Sequence, residues 1–146
     1  MTGLIALVGS GEYLPVMHDI EDELLSEGQR RTGTRRFVQL ATAAAPEGDA
    51  TLRYWHDLGA KAATRLSAEQ VIVDVRTRED ANNPALAHLF ADAALIYLSG
   101  GNPVFLARTL AGSLIGDTII NQWHRGSSLA GCSAGAMALG GHVVDL

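Results

Sequence analysis

The sequence predicts an α/β fold of three layers, a mostly parallel sheet with helices on both faces. Three observations carry that expectation. Mostly apolar runs recur at residues 4–8, 37–41, 71–75 and 94–98, interrupted only by Gln39 and Asp74, and the unbroken first one suits a parallel strand covered on both sides. Stretches with apolar residues at helical spacing separate them. Several of the runs end in turns rich in Gly, Ser or Asn, and strand alternating with helix gives a parallel sheet.

In chain order, the first run ends at Gly9-Ser10-Gly11. Pro15 opens a helix in which Val16, Ile20 and Leu24 face inward, and His18, Asp19, Glu21, Asp22 and Glu23 form a solvated face. Residues 28–36 hold Arg30, Arg31, Arg35 and Arg36 and read as a solvated loop, with an acidic ligand as the alternative. After the second strand, Asp49 is the expected N-cap of a helix carrying Leu52, Trp55 and Leu58 and closing near Gly59. The third strand, residues 71–75, precedes a helix opened by Asn82-Asn83-Pro84, with Leu86, Leu89 and Phe90 inward. The fourth strand runs into Ser99-Gly100-Gly101-Asn102-Pro103 and a helix with Val104, Leu106 and Leu110. Asp117 caps a helix with Ile119, Ile120 and Trp123, stopped at Gly126, and a fifth strand enters Gly131-Cys132-Ser133-Ala134-Gly135. A strand order of 3-2-1-4-5 would bring the turns after strands one, four and five to one crevice, where such sheets bind ligands.

With 146 residues, 47% of them hydrophobic, the chain suffices for one core, so residues 1–146 are expected to form a single domain. A formal charge of −5 argues against a nucleic-acid surface, which needs clustered cations. The N-terminal apolar run has no basic residue ahead of it and is too short to span a bilayer. A single cysteine, Cys132, leaves no internal disulfide and fits a cytoplasmic protein. Gly9-Ser10-Gly11 is a weak dinucleotide signal, because Leu14 stands where a third glycine belongs. No cofactor or metal is expected; the charge balance suits a small soluble substrate or a protein partner, and a homodimer stays open.

The chemistry centres on Gly131-x-Ser133-x-Gly135 between a strand and a helix, the context of a nucleophile elbow. Taken alone, the same residues also suit a small-residue turn that lets a helix pack closely on a sheet. A serine nucleophile needs a base for its proton and amide donors for the oxyanion. The Ala134 N–H is one donor that an elbow supplies, and Gly100-Gly101 can supply the second. Asn102 either orients that turn or holds a polar group of the substrate; a helix cap at Asn102-Pro103 is compatible with both.

Residues 98–106 (Leu-Ser-Gly-Gly-Asn-Pro-Val-Phe-Leu), followed by residues 131–136 (Gly-Cys-Ser-Ala-Gly-Ala) and accompanied by Gly9-Ser10-Gly11-Glu12, resemble the serine peptidase family of dipeptidase E and cyanophycinase. The resemblance covers nearly the whole chain. It implies a flavodoxin-like, class I glutamine amidotransferase-like architecture, Ser133 as nucleophile, the N–H groups of Gly101 and Ala134 as oxyanion hole, and Gly100 and Asn102 beside the substrate. It also implies cleavage of an amide next to an aspartyl residue, in aspartyl dipeptides or a cyanophycin-like polymer. Cys132, one position before the apex, is expected to pack inward.

The family's histidine and its orienting acid follow the serine in the chain. Here only His142 follows Ser133, close behind the elbow helix, and Asp145 matches no motif. His18, His56, His88 and His124 precede it in expected helices. The chain is therefore expected to lack the C-terminal part of a longer protein, with an exposed apolar sheet edge. The alternative is a non-catalytic module with the same crevice.

Overall fold

The computed structural model describes residues 1–140. His142 and Asp145 lie outside the described residues. Five strands, β1 (Ile5–Val8), β2 (Arg36–Leu40), β3 (Glu69–Ile72), β4 (Ala93–Leu98) and β5 (Ser128–Cys132), form one sheet in the order β1-β5-β4-β2-β3. Every neighbouring pair is parallel. The helices are α1 (His18–Thr32), α2 (Asp49–Arg65), α3 (Pro84–His88), α4 (Pro103–Leu110), α5 (Leu114–His124) and α6 (Ala134–Leu139).

Successive residues of a strand point to opposite faces, and β4 shows the consequence. Leu95 and Tyr97 join Leu24, Leu25, Ala62 and Ala63 under α1 and α2. Ile96 and Leu98 join Leu106, Leu110, Ile115 and Ile119 under α4 and α5, with Phe90 and Ala134 beside them. The three layers and the parallel sheet are as the sequence predicts.

The strand order is not 3-2-1-4-5. β5 lies between β1 and β4, so among the described residues the elbow strand is interior to the sheet and β1 is one of its two edges, β3 the other. Ile5 and Leu7 are about half exposed there, 49% and 59%. An apolar run identifies a strand but carries no information on its neighbours, and the edge position of β1 was invisible in it.

Other corrections are local. Val16 and Ile20 are exposed, while Glu21, Leu24, Leu25 and Gly28 are the buried residues of α1. Glu21 can be inside because its carboxylate accepts the Tyr13 N–H at 2.8 Å and pairs with Arg65 at 3.3 Å. Residues 28–32 are helix, not loop, and the four arginines have internal partners: Arg30 and Arg31 pair with Glu27, Arg35 with Asp22, and Arg36 with the Leu89 and Ala91 carbonyls. Asp49 is the first residue of α2, whose N-cap is Gly48, and the helix passes Gly59 to reach Arg65. β3 starts two residues before the expected run, although Val73 and Val75 beyond it are buried. Ser113, rather than Asp117, caps α5, its hydroxyl accepting the Gly116 N–H at 3.0 Å.

Candidate active site

Where β5 meets α6 the chain turns on Ser133, whose φ of 51° and ψ of −110° lie where L residues are rarely found. The turn is held from both sides: Ser133 N–H donates to the Val8 carbonyl of β1 at 2.9 Å, and its own carbonyl accepts from Met137 N–H at 3.0 Å. Small residues make the turn possible. A Cβ on Gly131 would stand 2.5 Å from the Gly135 carbonyl, so no side chain fits there. Cys132 and Ala134 are buried, while Ser133 between them is exposed. This is strand, strained apex and helix, with the serine outermost, as in a nucleophile elbow.

The turn after β4 stands next to it. A Cβ on Gly100 would lie 3.6 Å from that of Ser133. Gly101 has a φ of +141°, and a Cβ there would meet the Ala43 carbonyl at 2.4 Å, so only glycine fits. Asn102 donates its N–H to that Ala43 carbonyl at 2.8 Å, and its Oδ1 accepts the Phe105 N–H at 2.9 Å as the cap of α4. The 3₁₀ turn at Thr42–Glu47 following β2 thus buttresses the diglycine turn, a contribution the sequence did not reveal. Among the described residues, the amides of Gly101 and Ala134 make no hydrogen bond outside the regular elements.

A residue without a role in the sequence reading completes the crevice. Glu12, in the turn after β1, is 6% exposed. Its Oε1 accepts the Gly100 N–H at 3.0 Å and its Oε2 accepts the Cys132 S–H at 2.8 Å. Burial, reinforced by this carboxylate, pushes the Cys132 thiol up to about 12, so the cysteine stays protonated at neutral pH. Cys132 packs inward as expected and is also a hydrogen-bond donor. The signal for Glu12 was present in the Gly9-Ser10-Gly11-Glu12 motif, an acid placed directly after a glycine turn at the carboxyl end of a strand.

The turns after β1, β4 and β5 therefore converge as predicted, with the elbow between the other two. Histidine is a different matter: among the described residues, no hydrogen bond joins an imidazole to Ser133. His124 ends α5 beside Trp123, whose indole donates to the Gly3 carbonyl at 2.8 Å ahead of β1, which places it at the opposite end of the sheet from the elbow. His56, midway along α2, is held below the usual histidine range by burial. Among the described residues no three His, Cys, Asp or Glu side chains are grouped to hold a metal ion, and no single helix is long and apolar enough to cross a membrane.

A serine-bearing elbow beside a glycine turn, in a parallel α/β sheet, is the architecture found in several classes of hydrolase. Comparison with known proteins narrows the class. The model of peptidase family S51 matches residues 7–144, and the chain belongs to that family. It is similar to a peptidase from an acI-B1 Actinobacterium, whose crystal structure shares 45% identity at a TM-score of 0.95 over 99% of this chain and 59% of that one. A candidate Peptidase E from Listeria monocytogenes EGD-e shares the fold at a TM-score of 0.63 and 19% identity, over 94% of this chain and 61% of that one. The chain thus spans about three fifths of the length of these solved structures. No curated protein matches it.

Proposed function

We propose that this chain carries the nucleophile and oxyanion hole of a serine peptidase acting on short peptides with an aspartyl residue at the scissile amide. The observation that carries this reading is the exposed, strained Ser133 set beside the diglycine turn. In the proposed step the Ser133 Oγ bonds to the amide carbon as its proton passes to an imidazole. The carbonyl oxygen takes the negative charge and is met by the N–H groups of Gly101 and Ala134. The C–N bond then breaks, the imidazole returns the proton to the leaving amine, and water releases the acyl group. The imidazole is proposed to come from the C-terminal side of residue 140, either His142 or a histidine in the portion by which the longer relatives exceed this chain.

A groove beside the diglycine turn supports the aspartyl preference. Arg78, Asn102, Phe105 and Arg108 are among the residues that line it. Arg78 already donates to the carbonyls of Thr109, Ala111 and Gly112, whereas Arg108 is in no ion pair among the described residues. Its guanidinium suits a substrate carboxylate. Arg108→Ala is expected to raise KM for an aspartyl dipeptide about tenfold with kcat little changed.

Fluorophosphonate labelling tests the nucleophile. The wild type should take one phosphonyl group on Ser133, and Ser133→Ala none. A folded wild type that does not react overturns the peptidase reading and favours a second one, a crevice that binds without hydrolysis. The lack of any imidazole bonded to Ser133 among the described residues is what favours that alternative.

A further inference from the structure

We propose that Glu12 is the positioning residue of the oxyanion hole, fixing the direction of the Gly101 N–H by gripping the residue before it and, with its other oxygen, the residue before Ser133. The inference rests on the reading of Ser133 and Gly101 given above. One carboxylate reaches two turns: Oε1 takes the N–H of Gly100, the residue before the proposed oxyanion donor, and Oε2 takes the S–H of Cys132, the residue before the proposed nucleophile. On the far flank the Asn102 N–H is tied to Ala43. Of three successive amides in the diglycine turn, the outer two are thus anchored to buried acceptors. The middle one, Gly101, has no partner among the described residues and is left for a ligand.

The lever behind Glu12 is itself held. Gly11 and Tyr13 on either side both have positive φ, 94° and 65°. Tyr13 keeps this conformation because its N–H donates to Glu21 and its carbonyl accepts from Arg65 at 3.2 Å. The Tyr13 ring is wedged against Tyr97 and Phe37, with ring centres 4.8 and 5.8 Å away. A glycine free to take positive φ on one side, and a strained tyrosine fixed by an ion pair and an aromatic cluster on the other, direct one side chain beneath the crevice.

Glu12 joins none of the ion pairs among the described residues. Burying a carboxylate without a cation costs stability that an apolar side chain would not. A charged acceptor also grips an amide about twice as strongly as a neutral one, and gains most where water is excluded. An oxyanion donor is effective only when its direction is set before the charge develops, which is what such a grip provides.

The test compares wild type with Glu12→Gln, of the same shape but without the charge, and Glu12→Leu, which has no acceptor. Fluorophosphonate kinetics give kinact and KI separately, thermal melting reports folding, and NMR hydrogen exchange reads the Gly100 amide. Expected are a roughly tenfold fall in kinact for Gln and about a hundredfold fall for Leu, at unchanged KI and in folded protein. Gly100 exchange should quicken at least tenfold in the Leu variant. A kinact within twofold of wild type in both folded variants overturns the proposal. Should wild-type Ser133 fail to react, the peptidase reading falls by itself and the grip is judged by NMR alone: faster Gly100 exchange with a displaced Gly101 amide resonance sustains it, and unchanged amides end it.

Discussion

Glu12 and Glu21 are both buried carboxylates, yet they are satisfied in opposite ways. Glu21, 1% exposed, has a cation: Arg65 closes on its Oε2 while Oε1 takes the Tyr13 N–H. Glu12 has only neutral donors, one amide and one thiol. The first arrangement is what a fold uses to hold a backbone segment still; a charge paired in this way is a fixed internal strut. The second is poor as a strut, because nothing balances the charge, and it occurs where chain turns meet at the crevice. The difference teaches that burial alone does not mark a functional acid. How its charge is satisfied, and which backbone it holds, does.

The sharpest way to break this comparison is to remove the cation. Arg65→Met leaves Glu21 buried without its partner and should destabilise the protein by about 3 kcal/mol in urea unfolding, the usual scale for a broken buried pair. The Ser133 labelling rate per folded molecule should fall too, because Arg65 also holds the Tyr13 carbonyl next to Glu12, but by less than in Glu12→Leu, which removes the grip itself. The pH dependence gives the sign. Desolvation raises the Glu21 carboxyl above its ordinary range, with Arg65 opposing. A group raised in the folded state contributes stability that is full below its unfolded pKa and is lost as pH rises through the folded value. Stability measured against Glu21→Gln should therefore shift in favour of the wild type as pH falls through the raised value. A difference that is flat with pH would show Glu21 to be no more than a hydrogen-bond acceptor.

A smaller effect is expected on the Glu12 side. Cys132→Ala removes the donor to Oε2 and leaves that oxygen unsatisfied, at about 1–2 kcal/mol. Cys132→Ser keeps a donor and should lose about half as much. If the two variants melt together, the thiol contact is packing alone, and Glu12 grips only the diglycine turn.

How much of this was legible in the sequence divides along the same line. The strands, the helix opened by Asn83 and Pro84, and the elbow could be read because each is encoded locally, by apolar runs, by a cap and by small residues at a turn. Val16 and Ile20 misled because helical spacing chose a stripe that the aromatic cluster around Tyr13 did not need; the inner face of α1 has Glu21 instead. The position of β5 between β1 and β4 was not legible, since strand neighbours depend on how connections cross the sheet. Glu12 could be seen but not interpreted: its partners are 88 and 120 residues away, and no local pattern pairs an acid with an amide and a thiol so distant.

Asn102 gives the smallest effect and the finest division between frame and site. Its Oδ1 caps α4 through Phe105 N–H, and its main-chain N–H is tied to Ala43, so the cap and the backbone anchor belong to separate atoms. Asn102→Ala should remove the first and leave the second, for about 1 kcal/mol of stability. Asn102→Asp keeps a capping oxygen and should stay within about 0.5 kcal/mol of wild type. If Asn102 serves only as a cap, the two variants should label at Ser133 with the wild-type KI. If its Nδ2 also holds a substrate carbonyl, both lose that donor, and KM for a peptide should rise in the stable Asp variant as much as in the weakened Ala one. Melting and KM measured on the same pair of proteins therefore assign the residue, because stability distinguishes the two variants and substrate binding does not.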